Sequence, residues 1–347
     1  MVKKDRTDKQ LINERNKYLV KPITQLDVTN NMTIGQLVDQ FSGMSIQARN
    51  LGMAAQIWER MLTDQKPQTI FLGLTGPLIA AGLRNVIANI IRENMVDVVV
   101  STGAIIYQDF LYSLGGKHYH GFVDVNNKEL RKLRINRIYN VFTDDLKFEE
   151  TDDYIDKFTR QLEPGNYSSR QFLHELAKDA KDENSILKAS IDSGVPIFVP
   201  ALNDSSIGIG LTKYWSLYRD KPKVVIDSIK DNYEIVQIVL KSKATSAVYI
   251  GGGVPKNFVN DAIVMANFDF NAAFGGHTYV IQISTAIPMD GGLSGSTLKE
   301  AVSWGKIKDE TRNVMVYQEA SIGLPLLYSY LKEKNIAKNR KRPTFKF

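Results

Sequence analysis

Short, unbroken apolar runs alternate with stretches of helical periodicity through most of this chain. TIFLGL at 69–74 and VDVVVS at 96–101 show no polar alternation, the pattern of strands buried on both faces. Residues 195–199, 224–227, 247–250, 279–284 and 313–317 are runs of the same kind. Between them lie amphipathic segments. Residues 33–62 place Ile34, Leu37, Val38 and Phe41, then Met53, Ile57 and Met61, on helical faces interrupted near Gly43, which predicts two helices. Residues 77–94 predict a helix with Pro77 in its first turn. Further helices are expected over 187–193, 232–241, 258–266 and after Tyr317. The alternation predicts an α/β fold, a doubly wound, mostly parallel sheet with helices on both faces. Residues 145–185 are charged and helical and predict an insertion on the surface of that sheet. Residues 1–33 are polar and read as an arm, 34–330 as the folded body and 331–347 as a tail.

Charge changes the picture in one place. The chain carries a formal net charge of +6, and from Lys332 to Phe347 there are seven Lys or Arg against one Glu. The tail therefore holds the whole excess, the body is formally neutral, and no nucleic-acid surface is expected on it. A basic, frayed and solvated terminus is the expectation for the tail. With no cysteine among 347 residues, disulfides and thiolate chemistry are excluded. No apolar run has membrane-spanning length and residues 1–17 lack the apolar core of a signal peptide, so a cytoplasmic protein with no membrane partner is expected.

The candidate chemistry gathers at DGGLSGSTLKEAVSWGK, residues 290–306. A loop of small residues leads into a helix-like run, with Thr297 and Glu300 at capping-box spacing. The run ends on Trp304, Gly305 and Lys306. A lysine beside a large aromatic is partly desolvated, which favours the neutral, nucleophilic amine. An ordinary loop, a helix cap and a surface lysine have the same spacing. Ligands of an open α/β sheet bind outside the carboxyl ends of its strands. The residues there are small: Thr75 and Gly76, Thr102 and Gly103, Gly251 to Gly253, Thr285 and Ala286. Acids that suit ribose hydroxyls also occur there, Asp204 and Glu319. Bare backbone N–H groups and helix starts after Gly76 and Gly253 suit nucleotide phosphates, although glycines after strands also serve as plain turns. No GxGxxG follows the first strand. His118 and His120, two apart near the end of an apolar helix, have no carboxylate nearby to complete a ligand set, so no metal site is expected. The aromatic cluster Tyr107, Phe110 and Tyr112 is expected in the core or at a subunit contact.

The string EAVSWGKI at 300–307, after its Gly/Ser-rich loop, resembles the active-site lysine segment of the deoxyhypusine synthases. NMVDVVVSTGA (94–104), LRINRIYNVF (133–142), VPIFVPAL (195–202), IGGGVPK (250–256), TAIPMDGG (285–292) and VMVYQEASIGLPLL (314–327) continue the resemblance in collinear order across about 34–330. The resemblance implies a Rossmann-like domain that binds NAD. It also implies a homotetramer built from dimers, with active sites at the dimer interface. It implies oxidation and cleavage of spermidine, with the butylamine part held by the lysine as an imine. That part is then transferred to a lysine of the small translation factor that carries hypusine, or to putrescine in homospermidine synthases. Lys306 matches the nucleophile, and Glu300 and Trp304 match the amine pocket. Thr102, Gly103, Asp204, Gly251, Gly252, Gly253, Thr285, Ala286, Glu319 and Ala320 match cofactor contacts.

The chain also departs from the eukaryotic pattern. Asn257 stands where those enzymes have histidine, Tyr107 and Gln108 where they have a pair of glutamates, and Leu293 where they have an aspartate, with another lost near Ile209. A cationic polyamine calls for carboxylates. Those left for that role are Asp109, Glu300 and Asp290, beside His118 or His120. The resemblance therefore carries two readings of the acceptor, a protein lysine first and a small amine second. A third reading, a non-catalytic NAD-binding protein, has no need of Lys306.

Overall fold

The computed structural model describes residues 8–309 and 312–347. Its strands are β1 (Gln68–Leu74), β2 (Val98–Ser101), β3 (His118–His120), β4 (Ile135–Ile138), β5 (Val141–Asp144), β6 (Gly165–Tyr167), β7 (Ile197–Phe198), β8 (Val224–Ile226), β9 (Ala244–Ile250), β10 (Tyr279–Ile283) and β11 (Asn313–Val316). Its helices are α1 (Asp8–Asn16), α2 (Ile34–Phe41), α3 (Ile46–Thr63), α4 (Arg84–Arg92), α5 (Gly103–Ser113), α6 (Asn127–Lys132), α7 (Asp145–Thr159), α8 (Ser169–Ala177), α9 (Ile186–Ser193), α10 (Ser206–Leu217), α11 (Ser228–Lys241), α12 (Gly253–Phe268), α13 (Leu298–Ser303) and α14 (Ala320–Lys334).

Six strands form one sheet in the order β11-β10-β9-β1-β2-β7, and every neighbouring pair in it is parallel. Alternate residues of β1 face opposite layers. Ile70, Leu72 and Leu74 pack with α3, α4, α5 and α14 on one side. Phe71 packs with α11, α12 and α13 on the other. Both faces are covered, which is why the strands read as unbroken apolar runs. The α/β fold with a doubly wound parallel sheet is the fold observed. In chain order the strands lie 3-2-1-4-5-6 across the sheet, and the order reverses between β1 and β9. That is the switch point where doubly wound sheets open a crevice. Leu74 is in register with Ile250 and with Ser101, so the loops after β1, β2 and β9 emerge level with one another.

Several expectations are corrected. The helix expected from Pro77 begins at Arg84. Gly82 takes φ +84°, and the turns Ala81 N–H to Pro77 C=O and Leu83 N–H to Leu78 C=O make 77–83 an ordered loop. The run at β8 pairs with β6 in a separate two-stranded sheet, and its Val225 is 42% exposed. Residues 145–185 are not a surface insertion: Ile155, Phe158, Phe172, Leu173 and Leu176 belong to the main core. His118 and His120 lie on β3 of an antiparallel β3-β5-β4 sheet. Its short, half-exposed strands have no apolar run to reveal them. Among the described residues, no helix is long and apolar enough to cross a membrane.

The tail is tied down. Arg340, 8% exposed at its side chain, pairs with fully buried Asp97. Its Nη1 lies 2.8 Å from Asp97 Oδ1 and its Nη2 donates to Gln68 C=O at 2.7 Å. The other Asp97 oxygen also accepts the Ile70 N–H at 2.8 Å. Arg342 donates to Ser193 C=O at 2.9 Å. Phe347 meets Phe198 edge-on, and the Arg170 guanidinium lies 3.7 Å over its ring. The strap thus closes the amino ends of β1 and β2. Removing Arg340 leaves a buried carboxylate without its cation, a loss of about 3–5 kcal/mol. Arg340→Ala is therefore expected to lower the urea midpoint by that equivalent. A midpoint unchanged from the parent would show that the strap contributes nothing.

Candidate active site

The end of α13 decides where Lys306 goes. The Gly305 N–H donates to Val302 C=O at 3.0 Å and the Lys306 N–H to Ala301 C=O at 3.1 Å. With Gly305 at φ +66°, this is the Schellman pairing that ends a helix on a left-handed glycine. Beyond it the chain is caught by a short bridge. Lys306 C=O accepts the His277 N–H at 2.9 Å, and the Lys308 N–H donates to His277 C=O at 3.0 Å. Gly276 lies against the same segment, and a Cβ there would sit 2.7 Å from the carbonyl carbon of Ile307. His277 is fully buried with Nδ1 2.8 Å from Thr245 Oγ1, and burial pushes its imidazole down to about 3. It is a neutral structural support.

The Lys306 side chain turns toward α12. Nζ lies 3.0 Å from Asp261 Oδ1 and 5.4 Å from the centre of the Trp304 ring. Asn257, one helical turn before Asp261, donates Nδ2–H to Asp261 Oδ2 at 2.7 Å. Trp304 is 63% exposed, so one chain leaves the outer face of this ring uncovered.

The Gly/Ser-rich loop before α13 is anchored to the same helix and to the sheet. Gln282 Nε2 donates to Gly251 C=O at 2.9 Å and to Ser294 C=O at 2.8 Å. Buried Lys256 donates to Ser296 Oγ at 2.9 Å and to Ser296 C=O at 2.5 Å. Burial holds its ammonium down to about 8. A Cβ on Gly252 would stand 2.6 Å from Ser294 Cα, so this glycine is needed for loop packing.

A second feature lies at the carboxyl edge of the sheet. A cavity of about 850 Å³ is bounded by the loop 77–82, by Thr285, Glu319 and Ser321 after β10 and β11, and by His118, His120 and Tyr139 of the small sheet. Its size is within the ordinary range for a ligand pocket, and its lining joins small residues of the loop 77–82 and the Glu319 carboxylate to the aromatic side chains of Tyr112, Tyr119 and Tyr139, a mixture that fits a nucleotide. Thr285 and Glu319 are thus where the strand-end argument puts them. Neither Lys306 nor Trp304, Glu300, Asn257 or Asp261 lines this cavity.

The remaining residues singled out from sequence divide. The N–H groups of Gly251 and Gly252 are not bare: they donate to Ile283 C=O at 2.8 Å and to Thr75 Oγ1 at 2.9 Å. Thr102 is the N-cap of α5, and Gly103 packs against Ser205, bringing the Asp204 turn to that strand end. Glu319 caps α14, which begins at Ala320, through the Ser321 N–H at 2.9 Å. Thr297 accepts the Glu300 N–H at 3.0 Å. The exposed Glu300 carboxylate lies close enough to Lys256 to act on its charge, and Lys306 lies beyond the turn, not on Glu300's helix. Asp290 is exposed and accepts the Gly292 N–H at 2.9 Å.

Asp109 is a correction. It is 0% exposed and accepts from Arg84 Nε at 2.7 Å, Ser185 Oγ at 2.7 Å, and the N–H groups of Ile186 and Leu187 at 2.9 and 3.0 Å. It fastens the start of α9 and has no oxygen left for an amine. Asp261, Lys256, His277 and Gln282 were missed. The one legible signal was the four-residue spacing of Asn257 and Asp261. Among the described residues, no cluster of three His, Cys, Asp or Glu that could hold a metal occurs.

Comparison with known proteins places this arrangement. The family model for deoxyhypusine synthase matches residues 36–331. "Probable deoxyhypusine synthase 2" of Methanosarcina acetivorans is 41% identical over 334 residues, 95% of each chain. The "deoxyhypusine synthase-like protein" of Chlorobaculum tepidum is 42% identical over 323 residues, 91% of each chain. A crystal structure assigned to deoxyhypusine synthase in Entamoeba histolytica superposes with a TM-score of 0.60 at 19% identity, over 94% of this chain and 100% of that one, a likeness of fold.

The buried lysine gives a pH test. Burial pushes the Lys256 ammonium down to about 8 in the fold, from 10.5 for an exposed lysine. Between those values the unfolded chain binds more protons, so this group's contribution to stability rises with pH. Denaturant titrations at about pH 7.5 and about pH 10 should shift the stability gap between the parent and Lys256→Met in the parent's favour by about 2–3 kcal/mol. A gap independent of pH would contradict the burial.

Proposed function

Because this chain belongs to the deoxyhypusine synthase family, we propose that it is an NAD-dependent aminobutyl transferase with Lys306 as its covalent nucleophile. The observation that carries the reading is the delivery of Lys306. A Schellman turn and a bridge to His277 fix its backbone and leave its amine facing Asp261 and Trp304. A transferase that holds its cargo as an imine requires a lysine amine at such a place.

NAD, when bound, supplies the hydride acceptor that oxidises the amine and returns the hydride at the end. Thr285 and Glu319 with the loop 77–82 are the residues to hold it. Neutral Lys306 attacks the carbon of the oxidised donor. If the donor is spermidine, diaminopropane leaves, and the butylamine part stays on Nζ as an imine. An acceptor amine then takes that part, and Lys306 is regenerated. Arginine cannot take over, since its guanidinium stays protonated. The lysine surround and the strand-end cavity share no lining residue within one chain, and Trp304 is largely exposed. Both observations support an active site completed by a second copy, in the homotetramer built from dimers that the family implies.

The leading acceptor is a lysine of the hypusine-type translation factor. A small amine such as putrescine is the second reading, supported by neutral Gln108 and Leu293 at positions where the eukaryotic enzymes carry acids. Labelled spermidine offered with NAD and each acceptor in turn separates the two. Transfer to the factor's lysine and none to putrescine is the outcome expected. Lys306→Arg should lose transfer to either acceptor by at least about a thousandfold while binding NAD normally. Transfer surviving in that variant contradicts the assignment. Ala80→Phe, which fills the strand-end cavity, should weaken NAD binding in calorimetry by about tenfold or more. An unchanged affinity would move the cofactor elsewhere.

A further inference from the structure

We infer that Asp261 is the carboxylate that receives the cationic amine, and that it does so by exchanging partners with Lys306. The inference rests on the amine chemistry proposed above and assigns a specificity residue to it.

A polyamine carries ammonium groups that need an anion once they leave water. The acids singled out from sequence do not serve well. Asp109 is buried and fully used. Asp290 is spent in a turn, and Glu300 stands on the exposed face of α13. Asp261 is the acid that faces Lys306. One oxygen lies 3.0 Å from Nζ, the other accepts from Asn257 at 2.7 Å, and the side chain is still 41% exposed, so an incoming ammonium can reach it. Lys306 itself is 16% exposed.

The charges around the pair favour exchange. Lys256 and Lys306 supply two cations and Asp261 and Glu300 two carboxylates, with Lys256 electrostatically linked to both Lys306 and Glu300. A further cation placed beside an ammonium Lys306 would be repelled. When the substrate ammonium takes Asp261, Lys306 loses its counter-ion. The same event binds the amine and frees the nucleophile. Asn257 keeps the carboxylate in place throughout, since its bond is to the other oxygen.

Calorimetric binding of spermidine, and of putrescine, to the full-length protein with NADH in place of NAD, so that the bound amine is not oxidised, tests this without relying on turnover. Asp261→Asn should weaken the amine about ten- to a hundredfold with NAD affinity and thermal transition kept. Asp261→Glu, which keeps the charge, should stay within about threefold. Lys306→Met removes the competing cation and should tighten the amine at least about threefold, and that gain should vanish in the double variant with Asp261→Asn. Parent-like amine affinity in Asp261→Asn, or a gain from Lys306→Met that persists without Asp261, overturns the inference. A parent protein that binds neither amine overturns the functional reading it rests on instead.

Discussion

The pairing of β1 with β9 is the constraint on which the other features depend. All seven residues of each strand are buried and in register, from Gln68 opposite Ala244 to Leu74 opposite Ile250. Thr75 locks the end of this pair, its hydroxyl shared between Ile250 C=O at 3.1 Å, Gly252 C=O at 2.9 Å and the Gly252 N–H at 2.9 Å. The strand order reverses at this point, so the sheet opens a crevice there and α12 starts there. Because α12 begins at the lock, Lys256, Asn257 and Asp261 are placed by it.

From that helix Lys306 is positioned in steps. Lys256 and Gln282 hold the loop, the loop sets α13, and α13 ends on the turn at Gly305 that hands Lys306 to His277. Backbone carbonyls of Ser294 and Ser296 accept in the first step, and the Ser296 and Thr297 hydroxyls add side-chain acceptors to the loop and to the start of α13. The cost falls on Lys256, whose ammonium is buried among neutral oxygens.

Much of this was legible in the sequence, for a physical reason. Strands covered on both faces cannot alternate, so 69–74 and 96–101 announced themselves. The Trp304-Gly305-Lys306 stop was visible as a helix end. What hid was whatever depended on distant contact. The β3–β5 sheet is too short and half-exposed to show a period. Asp109 looked available because it stands near the matched segment after β2, yet its four donors come from Arg84 and the start of α9. The tail looked solvated because it is basic. Its arginines instead answer Asp97, the Gln68 C=O at the start of β1 and the Ser193 C=O at the end of α9, and Phe347 packs on Phe198 and Arg170. Asp261 lies forty-five positions before its partner, and only the Schellman turn joins them.

The central claim is that Lys306 bears the transferred group. Quenching the protein with borohydride during incubation with spermidine and NAD, followed by peptide sequencing in the mass spectrometer, tests it most directly. The account predicts a reduced butylamine adduct on the peptide containing Lys306, on that lysine's Nζ. An adduct mapped to Lys256 or to any other lysine, or transfer of the butylamine part with Lys306 unmodified at every time point, would contradict it.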